Sequence, residues 1–355
     1  MGADVVARDN LLDSTPATRS LGIAANAPYV VVIMSTFQGE RYVREQMLSV
    51  LSQLPARGTV LVRDDGSTDR TVDEIAALTD PRITIIAGQN LGFGQSFLTL
   101  LSLVPKDVDM VMLADQDDVW LPDKLQRAWG RLNQLGSEPG LYGSAQTFVD
   151  QNLHPLGRTP PLPRSPSMAN ALTENIIVGC TAAINRAALL LLQRAGVPAS
   201  VRFHDWWIYL VVSAFGVVVY DEEPTLLYRQ HGGNVIGRHP GLVKRMQRAW
   251  KVIVRDDWTS SLLGQIHAFF EHYGNLISPD GKSLLTHYFV DREETAVPRW
   301  ASVFSPRQRH QSLIDDVVLR CLLALRKLPS APFMMQRPGT SRLQPARRAP
   351  KDHRC

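Results

Sequence analysis

The sequence predicts an α/β fold: a mixed, mostly parallel sheet flanked by helices, with a helical segment appended at the C-terminal side. Three observations carry this expectation. Short, apolar, β-branched runs recur at 29–33, 59–62, 82–86 and 110–114, a pattern suited to strands buried on both faces. Stretches between them repeat apolar residues at the helical period. Polar clusters fall just after the runs, where open α/β sheets bind their ligands. Strands and helices alternating at this spacing belong to a sheet with parallel strands.

Residues 1–27 mix Ser, Thr, Pro, Ala and charge without periodicity and read as a flexible arm. Tyr29–Ile33 is the first strand and Ser35–Glu40 its turn. Val43, Met47, Val50, Leu51 and Leu54 then form the apolar face of a helix that stops at Pro55. Thr59–Val62 is the second strand, closed by the acidic turn Arg63–Asp69, and Thr71–Leu78 the second helix. Arg82–Ile86 is the third strand; Asn90–Gly94 leads into a helix reaching about Val104. Met110–Ala114 is the fourth and opens onto Asp115-Gln116-Asp117-Asp118. Next come a helix over 122–135, a strand over 141–149, a Pro-rich loop over 151–170 and an extended apolar stretch over 175–184. A short helix over 186–195, a helix from His204 to about Phe215, a strand over 217–220 and a segment ending in the Gly-rich loop after His231 complete a unit spanning 28–237.

At 355 residues the chain can bury a substantial core. Its net charge of +4 is unevenly spread: residues 1–237 carry 18 Lys+Arg against 24 Asp+Glu, and residues 238–355 carry 20 against 10. An acidic body with a basic appendage suggests attraction to something anionic. Cys180, Cys321 and Cys355 are widely spaced, with no metal pattern and no disulfide framework. With no signal-like N-terminus and no apolar run of the ~18–20 residues that span a bilayer, a cytoplasmic protein is expected. Nothing points to nucleic acid as a partner.

The acidic stretch carries the most chemistry. Asp115 and Asp117 leave a buried strand within three residues of each other, and like charges in that position are costly unless a cation lies between them. Hard oxygen ligands suit Mg2+ or Mn2+, ions that commonly share their shell with phosphates. An acidic cap, Asp117 or Asp118, on the helix that Pro122 begins is the alternative. Asp64 and Asp65 end the second strand before Gly66, in a turn that could meet a nucleoside or simply open a helix with Asp69 as its cap. Asn90-Leu-Gly-Phe-Gly94 has neither the Lys-Ser/Thr ending of a phosphate loop nor a dinucleotide fingerprint. In His204-Asp205-Trp206-Trp207 two indoles flank an acid able to serve as a general base, or an Asp caps a helix above two core tryptophans. Arg229 and His231 could meet phosphate or metal.

Taken together, Val30–Gln46, Val62-Arg-Asp-Asp-Gly-Ser-Thr-Asp69, Asn90–Gly94 and Ala114-Asp-Gln-Asp-Asp-Val-Trp120 resemble the family 2 glycosyltransferases, the inverting group with the GT-A fold, a Rossmann-like arrangement. The resemblance covers 28–237. It implies that Thr36, Asp64, Asp65, Asn90 and Gly94 face a sugar nucleotide. It also implies that Asp115 and Asp117 hold the metal and donor diphosphate, that Asp205 is the catalytic base, and that Arg229 and His231 help diphosphate or metal. The Asp-Gln-Asp-Asp-Val-Trp form, Val178-Gly-Cys-Thr-Ala182 and Tyr228-Arg-Gln-His231 look like bacterial rhamnosyltransferases of surface polysaccharide synthesis. That implies dTDP-rhamnose as donor and a glycan or lipid-linked acceptor. The Gln-x-x-Arg-Trp motif of processive members is replaced by Arg229-Gln230-His231, which argues against polymerisation.

Residues 238–328 alternate basic and apolar positions, as in Val243–Val254 and Ser312–Leu328. A helical subdomain packed on the body or on a homodimer partner, or helices resting on an anionic membrane, would produce that pattern. The Pro- and Arg-rich residues 329–355 read as disordered.

Overall fold

A computed structural model describes residues 27–231, 258–289 and 310–312. The arm over 1–26, the basic stretch Val243–Val254, most of Ser312–Leu328 and the tail from 329 lie outside them.

The chain opens with the alternation its pattern predicts. Strand β1 (Val30–Thr36) leads to helix α1 (Val43–Leu51), β2 (Gly58–Asp64) to α2 (Thr71–Ala76), and β3 (Ile83–Ala87) to α3 (Phe93–Leu103), before β4 (Met110–Ala114). Beyond it come β5 (Val119–Trp120), α4 (Lys124–Leu132), β6 (Gly140–Ser144), β7 (Thr147–Val149), β8 (Pro155–Arg158), α5 (Met168–Ala171) and β9 (Ala183–Asn185). The body ends with α6 (Arg186–Gln193), α7 (His204–Phe215), β10 (Val217–Asp221) and β11 (Leu226–Arg229); α8 (Trp258–Tyr273) and α9 (Pro279–Phe289) follow.

Seven strands form the main sheet in the order β10-β6-β9-β4-β1-β2-β3. All pair in parallel except β9, which runs antiparallel to both β4 and β6. Every residue of β4 is buried, as are all but one of β1, which is why these strands read as continuous apolar runs rather than alternating ones. The sheet divides the core in two. One face packs Phe97, Leu101, Trp207 and Tyr209; the other packs Met47, Val50, Trp120 and Leu125.

Two expectations are corrected. The single strand over 141–149 is two strands in two sheets, because the chain leaves the main sheet at Ala145, whose amide and carbonyl bond to Asp221 and Thr225. The segment over 151–170 is not all loop: β8 pairs with β7 in a second sheet of order β5-β11-β7-β8. In α8, Phe269 and Tyr273 pack around Trp207 and Phe215 of α7 with ring centroids 5.5–6.5 Å apart, and the Tyr273 hydroxyl donates to Leu191 O. These described helices lie against the body. No described helix is long and apolar enough to cross a membrane.

Candidate active site

The ends of β1 and β2 lie side by side, Thr36 opposite Asp64. Asp64 is a turn organiser: its carboxylate accepts from Thr36 Oγ1 (2.9 Å), the amides of Gly66 and Ser67 (3.1 and 2.8 Å) and Ser67 Oγ (2.6 Å). Gly66 supplies the positive φ of 81° that this reversal needs. Asp65 pairs with Arg63 and accepts from Leu91 N (3.1 Å), while Arg63 also reaches Ser96 Oγ and Gln89 O. The second and third strand-end turns are thus tied together by charge-assisted bonds. Asn90 is exposed and closes its own turn by accepting from Gly92 N (2.9 Å). A Cβ on Gly94 would collide with the carbonyl of Arg202, so this glycine permits close packing of α3 against the chain entering α7.

β4 delivers the acids. Asp115 keeps a partly exposed edge, and loss of hydration, then the charges of Asp117 and Asp205, push its pKa up to about 7 against the opposing pull of Lys124. Asp118 is fully buried; burial, followed by Asp117 and Asp115, holds its carboxyl well above the usual range. Gln116 faces the other way. Its amide group accepts from Phe37 N (2.9 Å) and donates to Phe37 O (3.0 Å), joining the β4 turn to the β1 turn. Asp117 Oδ2 lies 2.8 Å from His231 Nε2, so two of the predicted metal residues meet across some 114 residues of sequence. Asp117 and Asp118 do not cap α4; the residue before that helix is Asp123, whose side chain makes no capping bond.

Beneath the acids lies a group that sequence spacing does not reveal. Oxygen and sulfur atoms of Asp115, Asp118 and Cys180 approach within 4.8 Å of one another. Burial raises the Cys180 thiol pKa, and Gln146 donates to its sulfur (3.2 Å). Lys124, wholly buried, donates to Thr225 Oγ1 (3.3 Å) and lies 5.2 Å from the centre of the Trp120 ring. Burial lowers its pKa to about 8, while Cys180, Asp118 and Asp115 pull it upward. A lysine two residues past Pro122 looks like a solvated helix start, and only the packing of α4 under β5 and β11 reveals it.

Arg229 is 2 % exposed and does not turn its guanidinium to open solvent. Nε donates to Asp117 O (2.8 Å), one Nη to Gln151 O (2.7 Å), the other to Glu45 (2.5 Å), and the group stacks 4.5 Å from the Tyr42 ring centre. In this arrangement it braces the acidic turn from behind, with two carbonyls and an acid around its donors.

Asp205 begins α7 on the opposite wall. Its carboxylate accepts from Gly179 N (3.1 Å) and Trp206 N (2.8 Å), and its charge is felt at Asp115. The structure brings Asp117 beside His231 just past the end of β4 and sets Thr36 and Asp64 at the neighbouring ends of β1 and β2, while the group of ligand atoms found close together among the described residues is that of Asp115, Asp118 and Cys180.

Residues 31–190 match the family model described as Glycosyl transferase family 2. Over this stretch the chain is similar to family 2 glycosyltransferases. Among relatives, the dTDP-rhamnosyl transferase RfbG of Shigella flexneri is 27% identical over 241 residues, covering 63% of this chain and 80% of that protein. The succinoglycan biosynthesis protein ExoW of Rhizobium meliloti is 35% identical over 113 residues, 31% of this chain and 35% of that one. Among solved structures, residues 1–349 of S. aureus TarS align over 83% of this chain and 90% of that chain, at 14% identity and a TM-score of 0.48.

Proposed function

We propose that this glycosyltransferase inverts the sugar it transfers, taking L-rhamnose from dTDP-rhamnose and passing it to a glycan or lipid-linked acceptor. The observation that supports the mechanism is the set of acids Asp115, Asp117 and Asp118 where β4 ends, with Asp205 held by two backbone amides in the first turn of α7. The donor preference rests on the 27% identity to the Shigella rhamnosyl transferase.

In this reading Thr36, Asp64 and Asp65 shape the nucleoside end of the cleft, with Asn90 at its rim. Asp115 and Asp117 hold Mg2+ or Mn2+, with His231 able to exchange its hydrogen bond to Asp117 for a place beside the ion. The donor set fits a hard dication: two carboxylates whose mutual repulsion disfavours their charged forms gain from a cation between them. When bound, the ion neutralises charge on the departing nucleoside diphosphate. Asp205, fixed by two backbone amides, takes the proton from the acceptor hydroxyl as that oxygen attacks the anomeric carbon from the face opposite the leaving group. A general base so placed contributes roughly 10²–10⁴-fold. One base suffices for direct displacement, unlike the paired carboxyls of glycosidases. Arg229, through Asp117 O, positions the acidic turn.

Calorimetric titration of dTDP-rhamnose, UDP-glucose, UDP-N-acetylglucosamine and GDP-mannose, each with and without Mn2+, tests the proposal. Mn2+-dependent binding of dTDP-rhamnose alone is expected. Tighter binding of a UDP-sugar would replace the donor and keep the reaction, and binding of none would leave a non-catalytic scaffold.

A further inference from the structure

One buried polar group has no place in the mechanism above. His204, immediately before Asp205, is 4 % exposed, and neither of its ring nitrogens has a hydrogen-bond partner. One face of the ring stacks on Phe97 with centroids 4.1 Å apart, and Phe93 meets it edge-on at 6.0 Å. The Nε2 edge is covered by Gly179: a Cβ built there would lie 2.7 Å from Nε2 and 3.5 Å from Asp205 Cβ. The same glycine's amide holds the Asp205 carboxylate. Base and imidazole therefore share one cover, a 3-10 turn over Gly179–Thr181 that has no side chain at the point of contact. Burial lowers the imidazole pKa and keeps it neutral, so it offers one donor and one acceptor.

A phenylalanine at this position would leave no polar atom unmade. Unsatisfied buried polar groups are rare, and those that persist are commonly completed by something bound. From this, and resting on the glycosyltransferase reading, we propose that His204 is a substrate-contact residue. On substrate binding the imidazole hydrogen-bonds a sugar hydroxyl beside the bond being made. The chemistry it recognises is a hydroxyl, from either the transferred sugar or the acceptor sugar.

The test compares wild type with His204→Phe and His204→Gln in the full chain, following thermal unfolding, binding of dTDP and dTDP-rhamnose with Mn2+, donor hydrolysis, and transfer to a synthetic prenyl-diphosphate-linked sugar. His204→Phe should raise Tm by about 2–4 °C as the unmade polar atoms disappear, yet lower transfer about tenfold or more, with His204→Gln restoring part of it. Weaker binding of dTDP-rhamnose with unchanged dTDP binding would locate the hydroxyl on the donor. Unchanged donor binding and hydrolysis with lost transfer would locate it on the acceptor. Unaltered binding, hydrolysis and transfer in His204→Phe overturn the proposal. If that variant does not fold, ¹⁵N imidazole spectra of the wild type decide: no change at the His204 nitrogens on adding donor and acceptor overturns it. A wild type inert toward every sugar nucleotide would instead overturn the glycosyltransferase reading, since that outcome does not involve the variants.

Discussion

Gln116 is hydrogen-bonded to both the amide and the carbonyl of Phe37, so the residue between the two acids of the Asp-Gln-Asp turn is a strut to the neighbouring strand end. Gly39 keeps that strut in place, since a Cβ there would collide with the Gln116 side chain. Gln116→Ala should weaken sugar-nucleotide binding about tenfold and lower Tm by a few degrees, the loss of two bonds worth about 1 kcal/mol each. Calorimetry and thermal unfolding measure both. Binding at wild-type strength would show that the strut does not set the donor cleft.

Asp117→Ala should reduce turnover at least a hundredfold, the scale of losing several kcal/mol of charge stabilisation, and should leave the circular dichroism spectrum unchanged. Electron paramagnetic resonance of added Mn2+ would report the lost site directly. Full activity in this variant would remove Asp117 from metal binding.

For Asp205→Asn the expectation is separation of binding from chemistry. Donor affinity should stay within about threefold while transfer falls roughly 10²–10⁴-fold, the contribution of a general base. Gly179 N bonds one carboxylate oxygen and Trp206 N the other, so the carboxamide keeps one of these two bonds. Normal transfer would mean that another group accepts the proton.

The Asp115 carboxyl makes stability fall with rising pH in the metal-free protein. Its pKa stands at 3.8 in the unfolded chain and about 7 in the fold, so the folded state binds the extra proton between those values. The associated stability is complete below 3.8 and lost as pH climbs through about 7. Asp118 acts in the same direction. Lys124, depressed from 10.5 to about 8, acts oppositely, but only above about pH 8. Unfolding temperatures measured without metal should therefore drop from pH 5 to pH 8, and Asp115→Asn should flatten that slope. Added Mn2+ should raise Tm more at pH 8 than at pH 5.5. A metal-free Tm that rises across this range would refute the assignment.

Arg229→Lys tests whether the buried guanidinium braces the turn. Three acceptors in different directions suit a planar fork and not an ammonium. The variant should lose about 2–3 kcal/mol in denaturant unfolding and bind Mn2+ more weakly. Unchanged stability would return Arg229 to the donor side.

Much of this architecture is legible in the sequence because buried parallel strands need uninterrupted apolar residues, and β1, β2 and β4 supply them within a residue or three of the predicted limits. The acids after β4 are legible for a related reason: charge is conspicuous where an apolar run ends. Lys124 and His204 escaped because nothing local distinguishes a buried lysine or an unpartnered histidine from a solvated one; Thr225 and Phe97, which enclose them, lie about 100 positions away in sequence. The burial of Arg229 is hidden in the sequence for the same reason, its partners Glu45 and Gln151 lying far from it along the chain. The division of 141–149 between two sheets depends on bonds from Ala145 to residues some 80 positions later, beyond the reach of any periodicity.

The antiparallel course of β9 between β4 and β6 bears on how the polypeptide is made. Strands β1 to β4 lie within residues 30–114 and pair only among themselves until β9 is available. On a ribosome, this four-stranded block can assemble while the remainder is still being translated, as folding generally proceeds from the N-terminal side. β9 then arrives as the wedge that joins β6 and β10 to the block, carrying Gly179 to Asp205. The edge bearing Thr36, Asp64 and Asp115 is thus the older part of each newborn molecule, and the wall bearing Asp205 is hung on it afterwards.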